Sequence, residues 1–200
     1  RRFRVGPRTQ MTKVFVFDGL RQAGAQVVTT ELCNAVARSG EDIVVVTYRD
    51  YDDLQLDQRV RHIKLRIFGL SRLSKLALIE RALYRFLGKL WCLFYSIYCT
   101  RILNTALNGI ESIQGVYLVS DVSFSWFYRV RKAHATTIIF HSVKSKQYHS
   151  HPINRLIGAW FLSNCTKDVA LIAISERIKS DLVSYISLSE DRVRLARNYL

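Results

Sequence analysis

The chain has 200 residues, 49% of them apolar, enough for one well-filled core and too few for two full-sized domains. Thirty Lys and Arg against sixteen Asp and Glu give a formal charge of +14, an excess that points to a polyanionic partner: nucleic acid, an anionic membrane surface or phosphorylated ligands. Two prolines, nine glycines and no repeat period argue against Pro/Gly-rich linkers, low-complexity segments and solenoids.

The opening residues 1–10, RRFRVGPRTQ, are basic but lack the apolar stretch of a secretory signal, so they read as a leader or a cloning remnant ahead of Met11. One domain is expected over 11–200. Its first β-type run is KVFVFD (13–18), followed by DGLRQAGA (18–25). There Gly19 and Gly24 would let backbone amides at a helix N-terminus approach a ligand closely, although a glycine that merely turns the chain is an equal local alternative. This loop is not the GxGxxG dinucleotide fingerprint, and no GxxxxGK[ST] phosphate loop occurs, so dehydrogenase and P-loop readings lose their main support. A helix follows, with Val27, Val28, Leu32, Ala35 and Val36 expected on its core face and Gly40 as its C-terminal cap.

Further runs rich in β-branched residues stand at 42–48, 61–67, 115–121, 136–143 and 170–175. Six near-continuous apolar strands separated by helical segments are what a sheet covered on both faces requires, so the expected fold class is doubly wound, mainly parallel α/β. Ser175 is placed as the N-cap of a helix starting at Glu176.

Between Leu73 and Leu107 one or two long helices are expected, with Arg81, Arg85 and Lys89 recurring every four residues as one basic stripe beside Trp91, Phe94, Tyr95 and Tyr98. Ten Lys and Arg between Arg59 and Arg101 face one acid, Glu80. Such a surface suits the headgroup region of an anionic bilayer, and equally a sheet-covering helix with a solvated basic face. The longest apolar stretch, FLGKLWCLFYSIYC (86–99), is too short to span a membrane and carries Lys89. Cys33, Cys92, Cys99 and Cys165 form no CxxC pair and read as reduced thiols of a cytoplasmic protein, and His149 and His151 alone are a poor metal signal.

Three segments together resemble the family 4 glycosyltransferases, whose GT-B architecture has two Rossmann-like halves facing a cleft. They are RQAGAQVVTTELCNAVARSGEDIVVVT, with its glycine-alanine loop; IIFHSVKS, a strand running into a histidine; and DVALIAISERIKSDLVSYISLSEDRVRLARNYL, a late strand with a serine, a helix, and a valine-rich strand leading to an asparagine. Ala23 and Gln26 stand where the family usually has glycine and glutamate.

The resemblance implies the N-terminal, acceptor-side half of such an enzyme, with the C-terminal nucleotide-sugar domain missing. It implies retaining transfer of a hexose from a nucleotide sugar to a membrane-associated glycan or lipid-linked acceptor, with no metal and no cofactor beyond the donor substrate. Carried over, Gly24 and Ala25 become the close-approach loop and His141 the residue beside the reacting sugar, with Lys144 next to acceptor phosphates. By its charge pattern, not by the resemblance, the stripe of Arg81, Arg85 and Lys89 with Trp91 would dock the protein peripherally at the inner face of the membrane. The chain alone is expected to be inactive. A basic nucleic-acid-binding module ranks below this reading because no reading motif is present, and a non-catalytic interaction module is the third alternative.

Overall fold

The structure is a computed structural model and describes residues 11–17, 19–20, 22, 24–48, 52–65, 98–119, 134–143, 163, 166 and 169–196. Seven strands form one sheet: β1 (Thr12–Phe17), β2 (Ile43–Thr47), β3 (Arg61–Lys64), β4 (Ile113–Leu118), β5 (Thr136–Phe140), β6 (Ala170–Ala173) and β7 (Val193–Leu195). Their order is β3-β2-β1-β4-β5-β6-β7, and every ladder is parallel. The doubly wound α/β class expected from the apolar runs is therefore the observed one. Each of the six expected runs supplies a strand, and the valine-rich segment near the C-terminus adds β7. Several strands stop short of the apolar run that announced them, β3 at Lys64, β5 at Phe140 and β6 at Ala173.

Alternation along β1 sends Val14 and Val16 to one face of the sheet and Phe15 and Phe17 to the other. On the first face lie α2 (98–108), through Cys99, Leu103 and Leu107, and α3 (Glu176–Ile186), through Ile178, Leu182 and Ile186. Spacings of four residues put each of these triplets on one helical stripe. The opposite face carries α1 (Gly24–Arg38), packed through Cys33 and Ala37 against Phe15, Phe17, Ile43 and Val45.

Helix α1 corrects one expectation. Its buried residues are Gln26, Thr29, Thr30, Cys33, Asn34 and Ala37; of the expected face Val36 packs against the core, whereas Leu32 is 48% exposed, Ala35 is exposed, and Val27 and Val28 are half-buried. The reason is volume. Phe15 stacks on Tyr117 with ring centroids 4.7 Å apart, and together with Phe17 these rings fill the space above the sheet, so small side chains must face them. The cap at the other end holds as expected, with Gly40 at φ +93°, a left-handed conformation that glycine adopts without strain. Ser175 caps α3 by accepting a hydrogen bond from the Ile178 N–H at 3.3 Å.

Candidate functional site

In a parallel sheet all strands end on one edge, and the order here reverses between β1 and β4. Ligands of open α/β sheets bind at such a switch point, outside the carboxyl ends of the strands. The loop leaving β1 opens there and runs into α1, which begins at Gly24. Gly24 is exposed, its φ is not in the left-handed region, and a Cβ built on it meets no atom within 4 Å. Among the described residues, neither backbone strain nor packing therefore requires glycine. The first turn of α1 holds no acid, so its leading amides and the positive end of the helix dipole are uncompensated by a carboxylate of their own turn. Ala25 is half-buried, and its carbonyl accepts a hydrogen bond from Thr29 Oγ1 at 2.9 Å.

His141 leaves the same edge directly after β5, and β4 alone separates β5 from β1, a lateral distance of about 10 Å between the two strands. The ring is half-buried, with both nitrogens enclosed from solvent. Lys144, Arg81, Arg85, Lys89 and Trp91 lie outside the described residues, as do Cys92 and Cys165. Cys33 and Cys99 are buried.

On the other side of β1 the edge carries residues that no motif in the sequence marked. His62 Nε2 lies 2.9 Å from Thr47 Oγ1, at the end of β2, and the His62 pKa is lowered first by burial and then by Lys64, against an upward pull from Asp52. Lys64, the last residue of β3, pairs with Asp52. Asp52 forms a parallel bridge with Leu20, and the Leu54 N–H donates to the Leu20 carbonyl at 3.0 Å. The segment 52–57 is thus a strap laid against the β1 loop. No signal in the sequence marks it: Asn34, which holds it, lies outside the apolar stripe expected to face the core. Among the described residues no group of three His, Cys, Asp or Glu side chains could hold a metal ion, and no helix is long and apolar enough to cross a membrane.

A seven-stranded parallel sheet with helices on both faces and a glycine-led helix at its switch point defines a Rossmann-like α/β domain. The fold is that of one Rossmann-like half of GT-B glycosyltransferase structures. Sucrose-phosphate synthase from Thermosynechococcus elongatus superposes with a TM-score of 0.65 at 12% identity, over 94% of this chain and 48% of its own. The Anabaena protein HepE in complex with UDP and glucose gives 0.60 at 13% identity, over 95% of this chain and 45% of its own. HepE in complex with UDP-glucose gives 0.57 at 11% identity, over 95% and 44%. The chain spans about half the length of these structures. No family model and no curated protein matches the sequence.

Proposed function

We propose that the chain is the acceptor-side domain of a glycosyltransferase that moves a hexose from a nucleotide sugar to a membrane-associated glycan or lipid-linked acceptor. The observation that carries this reading is the correspondence of nearly the whole chain to one half of GT-B structures, one of them holding UDP-glucose. A nucleotide sugar would be gripped mainly by a second, C-terminal domain. This domain would supply the wall on which acceptor and transferred sugar meet.

Gly24 supports that assignment, since the empty space at its Cβ position leaves the backbone open to a ligand and no described neighbour demands the glycine. Transfer develops charge at the anomeric centre and on the leaving phosphate. The amides at the α1 N-terminus, with no acid in the first turn, are suited to an anionic group there. His141 would donate or accept a hydrogen bond at a sugar hydroxyl. Its enclosed nitrogens would have to be uncovered as the substrate enters, a tightening common to catalytic contacts on ligand binding.

The basic stripe Arg81, Arg85 and Lys89 with Trp91 would hold the protein at the inner membrane face, each cation contributing about 1 kcal/mol near an anionic surface. Lys144 would meet acceptor phosphates.

The test uses the protein expressed from its complete reading frame, incubated with labelled nucleotide sugars and a membrane lipid extract. Label should enter the glycolipid fraction. His141→Ala should lower kcat by roughly a hundredfold, and Gly24→Ala should keep the fold and lose substrate affinity. Absence of transfer or hydrolysis with every nucleotide sugar overturns the reading. Replacing Arg81, Arg85 and Lys89 by Glu should abolish flotation with phosphatidylserine vesicles, and undiminished flotation removes the docking stripe.

A further inference from the structure

Asn34 sits buried in the middle of α1, on the face turned toward Phe15 and Phe17, where a polar side chain is expensive unless both its donor and its acceptor are used. Both are used, and by one partner segment. Its Nδ2 donates to the Gln55 carbonyl at 3.1 Å, and its Oδ1 accepts from the Asp57 N–H at 2.8 Å. A carbonyl and an N–H two residues apart are what a single residue of a parallel neighbouring strand would bond with its own N–H and C=O. The Asn34 carboxamide therefore stands in for a strand, and it pairs with 52–57 where no β-ladder is available. The same segment is joined at its other end to the β1 loop through the Leu20–Asp52 bridge and the Leu54 N–H bond to the Leu20 carbonyl.

We infer that Asn34 is a positioning residue: by holding the strap 52–57 it holds the β1 loop at Leu20, and so sets the approach to Gly24 and keeps Asp52 at the strand-end edge beside Lys64. This rests on the proposed substrate face only in what the positioned loop would bind. The mechanical link stands on the two hydrogen bonds and the bridge. Removing the side chain takes the partner from the Gln55 carbonyl and from the half-buried Asp57 N–H. Loss of two hydrogen bonds should raise the opening of the strap by roughly thirtyfold.

Two variants of the full chain test it by hydrogen exchange, read as protection factors so that the intrinsic pH dependence cancels. In Asn34→Ala the Leu54 and Asp57 amides should lose protection, and the Gly24 amide resonance should shift, while Val14 and Val45 in the central strands keep their protection. In Asn34→Asp the protonated carboxyl can donate to Gln55 and accept from Asp57, whereas the ionised form turns an oxygen toward the Gln55 carbonyl. Strap protection should therefore be near wild type at about pH 5 and lost at about pH 8. His62, which faces Asp52 at the other end of the strap and has its pKa lowered by burial, is common to wild type and variant, so wild-type protection read at the same two pH values is the reference. Asp57 is held below its ordinary range by the Arg59 N–H and the Arg38 side chain, and arginine stays protonated.

Strap amides that keep wild-type protection in Asn34→Ala, or strap and core amides that fail together in both variants at both pH values, overturn the inference. In a transfer assay Asn34→Ala should raise the acceptor KM with little change in the donor KM, and equal effects on both overturn the positioning role. A wild-type protein that transfers nothing bears on the proposed function, and the exchange result then decides Asn34 by itself.

Discussion

The rotation of α1 about its axis can be tested with two leucine substitutions that hydrophobicity alone would treat alike. Leu182 on α3 is fully buried among the side chains that hold α3 to the sheet, whereas Leu32 on α1 is 48% exposed. Burying a leucine contributes about 1.5–3 kcal/mol, and truncating a fully buried one adds a cavity term, so Leu182→Ala should cost about 3 kcal/mol or more. Leu32 keeps half its surface in water, and alanine is the slightly better helix former, so Leu32→Ala should cost less than about 1 kcal/mol. Urea unfolding followed by circular dichroism separates these outcomes. With m near 2 kcal/mol/M, the midpoint should fall by about 1.5 M for Leu182→Ala and by less than about 0.5 M for Leu32→Ala. Equal losses would place Leu32 against the sheet and turn α1 by about 100°, which would also withdraw Asn34 from the strap.

Burial pushes the Cys33 thiol up to about 12, so at about pH 8 its thiolate is roughly a thousandfold scarcer than that of a free cysteine. Peptide mapping after maleimide treatment should find Cys33 unlabelled in the native protein and labelled in guanidinium; native labelling contradicts its place between α1 and the sheet. Ser175→Ala removes the side-chain acceptor for the Ile178 N–H and should lower stability by about 1 kcal/mol, read from the denaturation midpoint. His62 has its pKa lowered in the fold, so below about pH 6.5 the unfolded chain binds a proton that the folded chain resists, and stability should fall as pH falls. His62→Gln should flatten that slope between about pH 7 and pH 5, and an unchanged slope assigns it to other groups.

Local chemistry determined much of this protein. Runs such as KVFVFD and DIVVVTY are apolar at nearly every position, and only a strand buried on both faces needs that, so the parallel sheet was legible before any coordinate. Gly40 and Ser175 were legible for the same local reason, since a left-handed terminus and an orphan helix amide each demand a particular side chain within one turn. The tertiary structure alone decided which face of α1 is buried. Its apolar residues form a plausible stripe, but the volume of Phe15, Phe17 and Tyr117 reserves the interface for Cys33, Asn34 and Ala37. It alone decided that Asn34 meets residues 55 and 57, and that Thr47, His62, Lys64 and Asp52 share an edge with Gly24 and His141. Those meetings are set by strand order and parallel register, which join positions far apart in the chain, and a residue's own neighbours in sequence carry no record of them.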